Sequence, residues 1–168
     1  VAIAGATGLI GKQLVVALAG QEGVETHILV RRKPERVPAG VIVHEASPAE
    51  WVNEVAAIKA DVAISCLGTT MRTAGSKAAF RAVDFDLVTG FAKAAKDAGA
   101  GHMIAVSSVG ASAKASNFYL QTKGEAEAAD LHEPGQDGQQ EARAHQEHDH
   151  RPAPNVPVHD SIQALDGV

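Results

Sequence analysis

The chain opens with VAIAGATGLIG, in which a four-residue apolar run meets glycines at 5, 8 and 11. A helix-compatible stretch, GKQLVVALA, follows from Gly11 to Ala19. A glycine-rich turn between a buried strand and a helix is the first unit of an open parallel sheet, where the backbone must turn tightly and the helix must pack close to the strand. Gly5 suits the tight turn, Gly8 lets the backbone approach a ligand, and Gly11 lets the helix lie against the strand. The same turn aims backbone N–H groups and a helix N-terminus at one spot. That spot suits a dinucleotide pyrophosphate, with the Thr7 hydroxyl beside it and Leu9 and Ile10 completing the binding loop. By itself the GxxGxxG spacing also fits a glycine-rich turn without a ligand.

The remainder of the first 130 residues repeats this alternation. After Val1–Ala4, strands are predicted over Thr26–Val30, Val41–His44, Val62–Cys66 and His102–Ser107, most of them nearly continuous apolar runs. Such runs belong to strands covered on both faces, as in a parallel sheet. Further helices are predicted over Pro48–Ile58 and Asp84–Ala98. In the second, Leu87, Val88, Phe91, Ala92, Ala95 and Ala98 form one apolar face, with Asp84 as N-cap and Gly99 as the stop. The expected fold is α/β, a Rossmann-like doubly wound parallel sheet.

After Ala129 the apolar pattern is lost, and LHEPGQDGQQEARAHQEHDH is polar and histidine-rich. The expected organisation is an NAD(P)-binding domain over residues 1–130 and a disordered tail over 131–168, leaving the sheet incomplete on its C-terminal side. The abrupt change reads as a slip of reading frame or exon structure near residue 130, and the start at Val1 without Met as a beginning slightly inside the natural chain. The HQEHDH stretch from His145 offers metal ligands with no folded frame, so no physiological metal site is expected.

At 168 residues one domain is expected. The net charge of −5 gives no pull toward nucleic acid or an anionic membrane, and the apolar runs are too short to cross a bilayer. The lone Cys66 fits a reducing compartment, and with no signal peptide the expected location is the cytoplasm. Cys66 itself reads as a buried small hydrophobe, and Trp51 as helix packing.

Two further sets of residues carry chemistry. ILVRRKP places Arg31 and Arg32 after the second strand, about twenty residues beyond Gly11, where NAD binders carry an acidic residue for the ribose. Guanidinium groups suit a 2′-phosphate, so NADP is expected over NAD, although an exposed basic loop would look the same in sequence. Farther on, Ser107 and Ser108 end the fifth strand candidate, and Tyr119 and Lys123 stand four apart in NFYLQTKGEAE. On a helix these two share a face, and a nearby ammonium favours a phenolate. Tyr119 would exchange a proton with a substrate hydroxyl or carbonyl while hydride moves to or from a nicotinamide, with a serine holding the same oxygen. A solvated helix face with a half-buried Tyr fits the spacing too.

In order and spacing, GATGLIG, LVRR, SCLGTTMRTAGS, FRAVDFDLVTGFAKAAKDAG, VSSVGA and YLQTKGEAE resemble the short-chain dehydrogenase/reductase superfamily. The nearest likeness is to its atypical members, the Tat-interacting-protein-like oxidoreductases and relatives of nucleoside-diphosphate-sugar epimerases. The resemblance implies that Gly5, Thr7, Gly8 and Gly11 bind phosphates, that Arg31 and Arg32 meet the adenosine end, and that Leu67, Gly68 and Thr69 pass beside the cofactor. It implies Ser108, with Ser107 as the alternative, as the polarising group, with Tyr119 and Lys123 as the acid/base pair and Lys123 also at the nicotinamide ribose. It makes Asp84 structural. The expected function is NADP-dependent oxidoreductase or epimerase-like chemistry on a small molecule. The alternatives are an NADPH-binding regulatory or assembly protein without turnover, or an inactive truncated relative. The resemblance leaves room for a homodimer or a protein partner.

Overall fold

The computed structural model describes residues 1–131, so the tail and its histidines lie outside the described residues from position 132 onward. Five parallel strands form one sheet: β1 Ala2–Ala4, β2 Thr26–Val30, β3 Val41–Glu45, β4 Val62–Ser65 and β5 His102–Ala105. Their spatial order is β3-β2-β1-β4-β5. The chain winds outward from β1 through β2 to β3, then crosses back to lay β4 on the other side of β1.

The pleat sorts side chains onto two faces. Ile3 is in register with Ile28 and Ile64, Ile28 with Val43, and Ile64 with Ile104, so one face carries a row of branched residues. Helix α1, Leu9–Leu18, buries Val15 on that face against Ile3, Ile28 and Val30. The opposite face presents Ala2, Ala4, Leu29 and Ala63. Their small size lets two helices pack close: α2, Trp51–Ile58, through Trp51 and Val55, and α5, Val88–Asp97, through Phe91, Ala94 and Ala95. Helices on both faces make the sheet doubly wound, as expected. The three residues of β1 are each 0% exposed, so the strand bearing the glycine turn is the most deeply enclosed.

Short helices α3, Met71–Ala74, and α4, Lys77–Arg81, precede α5, and α6 spans Phe118–Leu131. A π-helical turn, Ala82–Leu87, joins α4 to α5. The sequence reading placed Asp84 as an N-cap, and this is corrected: Asp84 lies inside the π turn, 0% exposed. The helical run begins at Ser76, whose hydroxyl accepts the Ala79 N–H at 3.1 Å. Thr89 hydroxyl donates to the Phe85 carbonyl at 2.9 Å, occupying an acceptor in the widened turn.

Other boundaries move for local reasons. Helix α1 starts at Leu9, two residues before the expected Gly11, so Leu9 and Ile10 form its first turn. Helix α2 starts at Trp51 instead of Pro48: residues 48–50 form a turn held by Ser47 and Glu50, and Glu50 is the N-cap. The Ser47 N–H and hydroxyl both donate to the Glu50 carboxylate, at 2.9 and 2.6 Å, and hold that carboxyl below its usual range. Strands β4 and β5 stop at Ser65 and Ala105, which leaves Cys66, Ser107 and Ser108 in the loops beyond them. Gly99 does end α5, where the Ala100 N–H returns to the Ala95 carbonyl at 2.9 Å.

Candidate functional site

Strand order reverses between β1 and β4, and the crevice beyond the C-terminal ends of these two strands is where open α/β sheets take ligands. The crevice floor is a backbone seam. The Cys66 N–H donates to the Ala4 carbonyl at 2.8 Å, bringing the two exiting loops together. Gly5 has φ +79, and a Cβ there would stand 2.5 Å from the Cys66 carbonyl group. A Cβ on Gly11 would stand 2.2 Å from the Gly5 oxygen, so α1 meets the loop only because residue 11 has no side chain. Gly8 is the α1 N-cap; no side chain caps this end, and its first turn carries no acidic residue. The N–H groups and positive end of the α1 dipole are therefore left for an external anion. These features fit a bound pyrophosphate: a Cβ at Gly5 or Gly11 would overlap the backbone of the cradle, and no side chain caps the first turn of α1.

Above the seam lies a cleft of about 430 Å³, bounded by Gly5, Thr7 and Gly8 on one side and by Leu67, Gly68 and Thr69 on the other. Arg31 stands at its edge, and Arg31, Arg32 and Thr7 line an adjoining cleft of about 560 Å³. The structure thus gathers the expected phosphate loop, the β4 loop and the Arg pair around one crevice. Leu9 and Ile10 are 85% and 53% exposed on the first turn of α1. Trp51 is buried as expected, its Nε1–H donating to the Ala46 carbonyl at 3.1 Å, yet its ring also forms part of the cleft wall. Cys66 is half-buried and lines the same cleft, and burial pushes its thiol up from the ordinary value.

The Ser, Tyr and Lys residues occupy a neighbouring region, and none of them lines the 430 Å³ cleft. Asn117 caps α6, its side-chain oxygen accepting the Tyr119 and Leu120 N–H groups at 2.9 and 3.2 Å, so Tyr119 sits in the first turn. The Tyr119 ring packs at 5.5 Å from the buried Phe80 ring. Ser107 is exposed, and Ser108 is half-buried in a turn whose carbonyl accepts the Ala111 N–H at 3.0 Å. Lys123 is buried, and its Nζ lies 2.9 Å from Asp84 Oδ1. The approach is off the line of a good hydrogen bond, so the contact is an ion pair. The other Asp84 oxygen accepts the Thr69 N–H at 2.8 Å. A Cβ on Gly68 would stand 3.4 Å from Lys123 Nζ, which puts the ammonium directly behind the cleft wall.

Sequence reasoning missed the Asp84–Lys123 pair because the two are 39 positions apart (123 minus 84) and only the packing of α6 on the π turn joins them. It also missed Gly124, where a Cβ would stand 2.1 Å from the Ser112 backbone, so the loop that carries the serines lies directly on α6. Glycine immediately after a buried helical lysine was the available signal. Among the described residues no cluster of three or more metal-ligating side chains occurs, and no helix is long and apolar enough to cross a membrane.

A doubly wound parallel sheet with an anion-ready glycine turn at its switch point defines a dinucleotide-binding protein of the Rossmann class. Residues 5–147 match the NAD(P)H-binding family model, NAD_binding_10, and the chain belongs to that family. Protein FMP52, mitochondrial, of Candida albicans is 34% identical over 131 residues, covering 74% of this chain and 57% of its own length. Protein HTATIP2 of Rattus norvegicus is a homologue at 38% over 131 residues, covering 75% and 54%. The chain thus spans little more than half the length of these relatives. Among solved structures, MoeE5 in complex with UDP-glucose and NAD is similar with TM-score 0.62 and 18% identity, over 77% of this chain and 47% of that one. The Bordetella bronchiseptica enzyme WbmG in complex with NAD and UDP matches with TM-score 0.62 and 18% identity, over 78% and 48%. At such identity these likenesses show the fold. The family resemblance read from the motifs is borne out. The cytoplasmic location is not: the FMP52 relatives from Candida albicans and Lodderomyces elongisporus are named as mitochondrial proteins, and a single reduced cysteine does not distinguish the two compartments.

Proposed function

We propose that this chain forms the cofactor-binding part of an NADP-dependent oxidoreductase or epimerase-like enzyme. The observation that supports it best is the crevice at the β1–β4 switch point, where an uncapped helix N-terminus and Arg31 converge. Gly5, Gly8 and Gly11 would admit the pyrophosphate, Thr7 would add a hydroxyl, and Arg31 and Arg32 would hold a 2′-phosphate. When bound, the nicotinamide supplies a hydride donor or acceptor. Tyr119 would pass a proton between its Oη and a substrate oxygen, Ser108 would hold that oxygen, and Lys123 would place a positive charge beside both. The mitochondrial naming of the FMP52 relatives is carried over as the expected location.

Fluorescence titration with NADPH and NADH tests the reading. NADPH is expected to bind more tightly, and Arg31→Ala with Arg32→Ala should weaken it at least roughly tenfold while changing NADH little, as for loss of charge-assisted bonds. Equal losses for both dinucleotides would refute the 2′-phosphate assignment, and no binding of either would refute the function. One observation favours a second reading, an NADPH-binding regulator without turnover: the Lys123 ammonium is already engaged by Asp84. Dinucleotide binding without hydride transfer to any of a panel of carbonyl compounds would select it.

A further inference from the structure

Asp84 is the most deeply buried charged group among the described residues, at 0% exposure, and its two oxygens face different elements. One meets the Lys123 ammonium on α6, and the other takes the Thr69 N–H in the loop that leaves β4 and walls the cleft. Gly68 faces this pair with no side chain, its Cβ position 3.4 Å from Lys123 Nζ and 3.5 Å from Asp84 Oδ1. A carboxylate this deep persists only with a charge partner and hydrogen bonds, and a buried ammonium has the same need. Neither group can therefore leave the other without a large desolvation cost. A second ion pair, Arg81 with Glu125, also reaches α6, from α4, and is partly exposed.

We propose that Asp84 is a positioning residue for the cofactor site. Its carboxylate fixes the Lys123 ammonium behind Gly68 and ties it, through the Thr69 N–H, to the cleft wall, so that the charge and the wall form one rigid unit. The proposal rests on the dinucleotide reading above. It adds that Lys123 acts from one locked position, paired with a carboxylate on the π turn, and does not swing freely between Tyr119 and a ribose.

The test combines a spectroscopic signature with binding. In the wild-type protein the Lys123 ammonium should give a slowly exchanging ¹H–¹⁵N signal, because it is buried and paired, and saturation with NADPH should shift it. Asp84→Asn keeps an acceptor for the Thr69 N–H but removes the charge. It should abolish the ammonium signal and weaken NADPH about tenfold, the loss expected for a displaced charged contact. Lys123→Met should weaken NADPH similarly. Asp84→Asn combined with Lys123→Met leaves no unpaired charge in the core, so it remains measurable where a single variant unfolds. If Asp84 acts through Lys123, the double variant binds no more weakly than Lys123→Met. A further loss in the double variant would overturn the proposal, as would wild-type NADPH affinity in Asp84→Asn or the absence of a protected ammonium signal. If wild-type protein keeps that signal but binds neither dinucleotide, the positioning role falls together with the cofactor reading, and the intact signal assigns the failure to that reading.

Discussion

Cys66 is the only cysteine of the chain and lies in the wall of the cleft, which makes it a reporter of the site at single-residue scale. Burial disfavours its thiolate and pushes the thiol above the ordinary value. A thiol raised in the folded state adds stability that is complete below the unfolded value and is lost as pH rises through the folded one. Because the thiolate is the nucleophile, alkylation by iodoacetamide at about pH 7.5 should run several-fold slower than for a free thiol and should go on rising with pH beyond the point where a free thiol levels off. NADPH should slow it further by covering the cleft. Fast modification at neutral pH, or no effect of NADPH, would show that Cys66 does not lie in the wall of the dinucleotide cleft. The gathering of Gly5, Gly8, Gly11, Arg31 and Arg32 at one crevice was legible in the sequence because all five lie within one βαβ unit, where spacing along the chain is spacing in space. Asp84 was misread for the opposite reason: its partners, Thr69 and Lys123, come from two other segments.

Two glycines on helices separate local propensity from packing. Gly90 on α5 has nothing within 4 Å of its Cβ position, whereas Gly124 on α6 faces the Ser112 backbone at 2.1 Å. Alanine gains up to about 1 kcal/mol over glycine in a helix interior. Gly90→Ala should therefore raise the thermal midpoint. At Gly124 the overlap is with backbone, which cannot rotate away, and overpacking of this kind costs about 1–3 kcal/mol. Gly124→Ala should lower the midpoint and displace the loop that carries Ser108. Calorimetry on both variants decides it, and equal effects would mean that α6 does not hold the serine loop. The helical periodicity of Leu87 to Ala98 revealed the apolar face of α5. It could not reveal α3 and α4, which span four and five residues and are marked mainly by the capping Thr70 and Ser76 hydroxyls.

Across the described residues as a whole, enclosure falls away from β1. Ala2, Ile3 and Ala4 are fully buried, β2 and β4 flank them, and at β5 Ile104 is 51% exposed. Local opening follows enclosure and hydrogen bonding. Hydrogen exchange should find β1 and β4 amides the slowest, with β5 opening earlier; β5 amides as protected as those of β1 would contradict this order. The same gradient explains what the sequence could say about architecture. Apolar runs, most of them nearly continuous, marked the five strands, but the crevice depends on their order, β3-β2-β1-β4-β5, which is set by pairing between distant segments and is not written in any local run.

The π turn at Ala82–Leu87 has one more consequence. Phe80, Asp84 and Val88 are buried at four-residue steps, and on a regular α-helix each such step drifts roughly 40° around the axis. The wider turn absorbs that drift and works as a vernier, keeping Asp84 in phase with the aromatic contacts of Phe80 before it and the sheet contacts of α5 after it. Deleting one residue there would leave a more regular helix and a worse protein, because the chain would regain its hydrogen-bond ladder and lose the angular setting of its only fully buried carboxylate among the described residues.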